Sequence, residues 1–250
     1  MKTLPLVVLL FASSVATGTY ADWTDLLDKV PDAAKQAVSS SDVASATGLS
    51  QTEIVAGLKE ALDNATAAAV SQLAKPGGFL DNPQVRIPLP SQLDWVEKGL
   101  RKVGQEELAD NFINTMNQAA EEAVPAALEQ FQGAINAMSV EDARGILNGP
   151  DNAATEYFRK YSESTLREQF LPIVKETTAG AEMTSAYKNM TAPVAGLGGM
   201  FGGKSLDVDE YVTDKALDGL FSIVAQEEAR IRKDPVARST ELLKKVFGGN

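Results

Sequence analysis

Residues 207–234 form the longest helix-compatible stretch of the sequence without a proline, and they constrain the fold most. At about 100° per residue, Val212, Ala216, Leu217, Leu220, Phe221, Ile223, Val224 and Ile231 fall on one broad arc, with Asp214, Lys215, Asp218, Ser222 and Gln226 opposite. An apolar arc that wide belongs to a helix packed among other helices. Asp207 is placed to N-cap it, with Glu210 three residues on closing an Asp-x-x-Glu variant of the capping box. Asp234-Pro235 marks its end, because the residue before a proline avoids the α region. Glu227 interrupts the arc, four residues from both Ile223 and Ile231. A carboxylate buried there needs a cation, so the spacing predicts a charge-assisted bond to Arg86, Arg144 or Arg159, with Arg86 first because its apolar neighbours draw it inward. Glu228 is expected nearer the edge.

The rest of the chain also reads as helix. Ser50-Gln51-Thr52-Glu53 is a capping box, and Ile54, Leu58, Ala61, Leu62, Ala65, Ala69 and Leu73 follow on one face to about Lys75. Residues 75–90 break the pattern: Pro76, Gly77, Gly78, Pro83, Pro88 and Pro90 forbid helix, while Phe79, Leu80, Val85, Ile87 and Leu89 stay apolar. Flexible linkers are polar and Gly/Ser-rich, so an alternation of Val85, Ile87 and Leu89 predicts an ordered arm with one buried face.

Ser91 is placed to cap a short helix bearing Leu93, Val96, Leu100 and Val103, and Gly104 stands where a C′ glycine would end it. The next face carries Leu108, Phe112, Met116, Ala119, Ala120 and Ala123. Pro125 restarts the helix with Leu128, Phe131, Ile135 and Met138. Ser139 begins another short helix, stopped at Asn148-Gly149-Pro150. Ala154, Tyr157, Phe158 and Tyr161 form an aromatic stripe expected in the core, and Leu166, Phe170, Ile173, Val174 and Thr177 a second, bent at Pro172. A weaker segment around Met183, Tyr187 and Met190 precedes the glycines, and a last helix carries Val236, Leu243, Val246 and Phe247. The fold class is therefore all-α, an irregular single-domain helical bundle with an ordered Pro-rich arm.

Residues 1–21 read as a cleavable signal peptide: Lys2, an apolar run from Leu4, and small residues before Ala21. Residues 22–48, with Trp23, Leu26, Leu27 and Val30 ahead of Ser39-Ser40-Ser41, read as an N-terminal helix and linker, and residues 49–250 as the helical domain. No later segment is apolar and long enough to span a membrane, which takes roughly 20 residues. Export without a single cysteine points to a bacterial periplasm. The net charge of −11 disfavours nucleic acid and anionic headgroups as partners of the whole surface.

Four separated runs carry a family resemblance. They are Glu53-Ile-Val-Ala-Gly-Leu-Lys-Glu-Ala-Leu62; residues 75–90; Ile146-Leu-Asn-Gly-Pro-Asp151 with Ala154-Thr155-Glu156-Tyr157-Phe158-Arg159; and Tyr211-Val212 through Asp234-Pro235. Together, over residues 49–248, they resemble the bacterial domain of unknown function 4197. The resemblance implies an exported, mostly helical protein of Gram-negative bacteria and brings no activity with it. The Gly-rich residues 196–204 depart from the family pattern.

Within that departure, Gly198-Gly-Met-Phe-Gly-Gly203-Lys204-Ser205 fits the phosphate-loop pattern letter for letter. A working loop follows a buried strand and opens into a helix whose amides cradle phosphate. Residues 191–197 are no strand, and Asp207, Asp209 and Glu210 would set carboxylates against the nucleotide, so nucleotide binding is not expected. With no histidine and no cysteine, the usual zinc, copper and haem sites and a Ser-His-Asp triad cannot be built. Glu121-Glu122 and Glu227-Glu228 could offer oxygens to a cation, but neighbouring helical residues point about 100° apart, and solvated pairs are the expectation. No catalytic residue, metal site or cofactor is predicted.

Lys59, Arg86, Arg144, Arg159, Asp218 and Glu227 are charges set in or beside the most apolar runs. They are expected as a buried polar cluster, either of structural ion pairs or of groups holding the head of an apolar ligand. The functional expectation is a periplasmic, non-catalytic binding or carrier protein for an apolar or amphipathic small molecule. The alternative is a module docking on another envelope protein, and an enzyme using carboxylates comes third. An enclosed pocket would favour the first, an exposed groove the second.

Overall fold

Seven α-helices and two 3-10 turns account for most of the described chain. The computed structural model describes residues 50–179 and 207–233, all within the compact unit Thr47–Asn250, and the remaining residues include the other unit, Met1–Ala46. The expected signal peptide, residues 22–48, the expected segment around Met183, the phosphate-loop match and the expected last helix lie outside the described residues. No strand occurs among the described residues, so the all-α reading holds.

Helix α1, Gln51–Leu73, starts at Ser50, whose side chain accepts from the Glu53 amide while Glu53 reaches back to Ser50. All seven apolar residues read on its face are buried. After the arm, a 3-10 turn at Ser91–Leu93 leads into α2, Asp94–Lys102. Ser91 does not cap α2, which begins from Leu93 without any side-chain bond. Leu93, Val96 and Leu100 are buried as expected, but Val103 is 66% exposed, because the helix has already ended. Gly104 takes φ +71°, and the Gln105 amide returns to the Leu100 carbonyl at 2.9 Å, the closure expected of a glycine just past a helix.

Helix α3, Glu106–Ala123, passes through a 3-10 turn at Val124–Ala126, where Pro125 stands, into α4, Ala127–Ala137. Helix α5, Val140–Leu147, has its own capping box between Ser139 and Asp142. Helix α6, Ala153–Ala179, runs through Pro172 as one element. Helix α7, Val208–Lys233, is the predicted central helix and packs on α6, α1 and α3. Asp207 accepts from the Glu210 amide at 3.0 Å, but the carboxylate of Glu210 takes Arg167 of α6 at 2.7 Å, so only half of the expected capping box forms.

The core is aliphatic with a phenylalanine cluster at its centre. Phe131 of α4 meets Phe158 of α6 at 5.0 Å and Phe221 of α7 at 6.1 Å between ring centroids. The aromatic stripe of α6 is only partly core. Phe158 is fully buried, whereas Tyr161 is 53% exposed and packs at a tilt against Tyr157, with ring centroids 4.5 Å apart. Tyr157 lies between the two, its hydroxyl donating to the Ala134 carbonyl at 3.0 Å.

Candidate binding cleft

Residues 75–90 enter the core as two turns, over 76–81 and 83–85, followed by irregular chain to residue 90. Their proline-rich backbone makes no regular ladder, so the non-proline amides facing inward need acceptors from elsewhere. Helix α3 supplies them from Asn117 and Glu121, four residues apart on a buried stripe that begins at Ile113. The carboxylate of Glu121 accepts backbone N–H groups from Gly77 at 3.2 Å, Phe79 at 3.0 Å and Leu80 at 3.4 Å. One turn earlier, the Asn117 amide accepts from Ile87 N–H at 2.8 Å and donates to the Ile87 carbonyl at 2.9 Å, as a paired strand would. Its second N–H goes to the Ile113 carbonyl at 2.8 Å. A third tie comes from α7, where the Tyr211 hydroxyl donates to the Pro88 carbonyl at 3.0 Å.

Between these ties the arm buries Phe79, Val85, Ile87 and Leu89 and leaves Gln84, Arg86 and Pro88 in solvent. Gly77 turns the chain at φ +80°. Gly219 of α7 lets the arm come close: a Cβ there would stand 2.7 Å from a Phe79 ring carbon and 3.2 Å from the Val85 Cβ.

Where the first turn of the arm meets the ends of α1 and α3, an open cleft of about 330 Å³ remains. One wall is apolar, from Ala74, Pro76 and Leu80. The other is polar, from Asn114, Gln118, Glu121 and Glu122 of α3. The two adjacent glutamates differ sharply, which corrects the expectation of a solvated pair. Glu121 is buried under the arm, while Glu122 is exposed and accepts from Gln118 at 3.0 Å and from the Thr177 hydroxyl of α6 at 2.6 Å.

A second buried carboxylate sits on α7, one residue from the expected position. Glu228 accepts from the amides of Ala154 and Thr155 at 2.9 Å each and from the Thr155 hydroxyl at 2.9 Å. It thus satisfies the orphan N–H groups at the start of α6, where a negative charge also suits the helix dipole. Arg232 closes the node, donating to Glu228 at 2.8 Å and to the Ile146 carbonyl at 2.8 Å. The space beside this node, near Leu58 and Ile231, is only about 10 Å³.

Glu227 is not the buried carboxylate, and its partner is none of Arg86, Arg144 or Arg159. Its side chain keeps 15% of its exposure and accepts from Arg230, three residues on, at 3.0 Å. The reason lies in what covers α7. Counted from Val224 at about 100° per residue, Glu227 lies near −60° and Glu228 near +40°, both inside the arc of the whole helix. The arm covers the negative side at Gly219, but over the last two turns the buried positions contract to Val224, Glu228 and Ile231, the last packed on Ala61 and Ala65 of α1.

The other expected cluster residues are spread around the bundle. The Lys59 ammonium donates to the Asn136 carbonyl at 3.2 Å, tying α1 to α4. Arg86 and Arg144 are exposed. Arg159 bonds Glu163 at 3.2 Å, reaches Asp218 at 4.0 Å and lies 4.5 Å from the Phe221 ring centroid. Only Arg159 and Asp218 of the six therefore come together, at the surface, because each long side chain carries its charge outward while its stem packs. Asn117 and Arg232 were not singled out from the sequence, and Glu121 and Glu228 were named there but expected in solvent or near the edge, not buried. The one available signal was an apolar stripe continued by polar residues at four-residue spacing beside a segment whose amides lack partners.

Among the described residues, no group of three or more acidic, histidine or cysteine side chains could hold a metal ion, and no helix is long and apolar enough to cross a membrane. The fold and its ties define an all-α bundle strapped by a proline-rich arm. The chain belongs to the family described as "Protein of unknown function (DUF4197)", whose model matches residues 48–248, in agreement with the resemblance drawn from four runs of the sequence. It matches no curated protein and no solved structure.

Proposed function

We propose that the protein is exported to the periplasm and works there as a non-catalytic binding protein, taking a small amphipathic molecule in the cleft between the arm and α3. The cleft itself carries this reading: about 330 Å³, with Ala74, Pro76 and Leu80 facing Asn114, Gln118 and Glu122. That volume is at the low end for small-molecule sites, which pair an apolar wall with a few polar groups. The cleft is open, a departure from the enclosed pocket expected of a carrier; what supports a small molecule over a docked protein is its size and the apolar wall set against polar groups. Export is supported by Lys2, the apolar run from Leu4 and the small residues before Ala21.

Native mass spectrometry of protein purified from its own host tests the reading. A retained small molecule, displaced when Leu80→Arg fills and charges the apolar wall, is the expected result. Retention unaffected by Leu80→Arg would remove the cleft from the account.

A second reading, docking on another envelope protein, is favoured by one observation: Tyr157 and Tyr161, packed at a tilt, present an aromatic surface on α6 with about half of Tyr161 in solvent. Tyrosine is enriched in protein interfaces. Loss of a cross-linked partner on Tyr161→Ser, with the cleft ligand retained, would support this reading over the first.

A further inference from the structure

We infer that the molecule taken by this cleft carries a cation on a short apolar stem, a small alkylammonium, and that Glu122 is its polar contact; the inference rests on reading the cleft as the binding site. Both formal charges among the lining residues, Glu121 and Glu122, are negative. Helix α1 ends at the cleft, with Ala74 as its C-cap, and has no basic residue in its last turn. The C-terminal end of a helix carries roughly half a negative charge, so its dipole adds to the carboxylates. Lys75, just beyond, is exposed and is not among the lining residues.

The two carboxylates divide the work. A carboxylate has about four acceptor positions. Glu121 spends its own on the amides of Gly77, Phe79 and Leu80, which fixes the wall. Each oxygen of Glu122 has one partner, Gln118 or Thr177, so acceptor positions remain on an exposed group at the rim. An ammonium can fill them while its stem lies along Pro76 and Leu80. A carboxylate or phosphate head would meet negative charge from Glu121, Glu122 and the end of α1, with no lining cation to receive it.

The test uses the full chain and three probes with matched stems: n-hexylammonium, n-hexanol and hexanoate, followed through the amide signals of Leu80 and Gln118. Hexylammonium is expected to move both saturably and to bind about three- to fivefold tighter than hexanol, the range of an exposed ion pair, with hexanoate weakest and the preference fading in high salt. Glu122→Gln, which keeps the shape and can still bond Thr177, should bring hexylammonium down to the level of hexanol without shifting the melting temperature. Equal binding of hexanoate, or an undiminished preference in Glu122→Gln, would overturn the inference and leave the cleft reading standing. Signals unmoved by all three probes would remove both. A lysine-containing peptide that moves them where hexylammonium does not would assign the cation to a partner's side chain and overturn the small-molecule assignment.

Discussion

Glu228 and Arg232 stand one turn apart on α7 and meet at 2.8 Å with 4% and 13% of their side chains exposed, directly over the first turn of α6. The carboxylate acts as a cap supplied from another helix. It joins α7 to the second and third amides of α6, Ala154 and Thr155, and Arg232 extends the tie to the end of α5 through Ile146.

Glu228→Ala leaves both those amides without their acceptor and takes the carboxylate from a nearly buried guanidinium that keeps its bond to the Ile146 carbonyl, and should cost about 3 kcal/mol. Glu227→Ala removes only a local pair with Arg230 and should cost under about 1 kcal/mol. Denaturant melts of the two variants read the difference. Acetate, added to Glu228→Ala, should recover part of the loss by occupying the vacated amides and arginine, whereas chloride should not; equal losses in the two variants would contradict the cap.

The pair Glu227 and Glu228 also marks how far the sequence could be read. Helix α1 was legible because its start is a local motif, Ser50 with Glu53, and its face repeats at helical spacing. The same holds for the arc of α7 from Val212 to Val224. Which of two adjacent glutamates enters the core was not legible, since both fall inside the arc and the choice depends on where the arm stops covering it. Glu121 was hidden for a related reason: its burial answers the needs of backbone amides 42 residues away, at Phe79. Tyr161 carries the opposite lesson, a regular aromatic stripe whose last member stays 53% exposed, with Tyr157 and the Lys160 ammonium against its ring.

Asn117→Leu should loosen the arm at its middle. The substitution leaves the N–H and carbonyl of Ile87 buried without partners, a loss on the order of 3 kcal/mol. Limited proteolysis beside Arg86, slow in the natural protein and fast in Asn117→Leu, checks this locally.

Glycine 219 separates packing from helix propensity. Gly219→Ala would push a Cβ against Phe79 and Val85 and should destabilise by about 1–3 kcal/mol despite the better helix former. Gly133→Ala on α4 meets nothing within 4 Å and should stabilise by up to about 1 kcal/mol. Opposite signs in thermal melts are the expected outcome.

Tyr211 gives the arm a pH dependence at the alkaline end. Burial, with Asp94 adding to it, raises its hydroxyl above the usual 10.0. The folded state therefore holds this proton longer than the unfolded chain does, so its contribution is intact below pH 10 and is lost as pH rises through the folded value. Ionisation would also end the donation to Pro88. Tyr211→Phe should flatten that alkaline loss of stability, read from melts across the range.

The preformed cleft rests most directly on Glu121, and amide hydrogen exchange at Gly77, Phe79 and Leu80 tests it. These three amides should be protected in the natural protein and should lose protection together in Glu121→Ala, while the Ile87 amide, held by Asn117, stays protected. Unprotected exchange of all three in the natural protein, or no change in Glu121→Ala, would contradict the account.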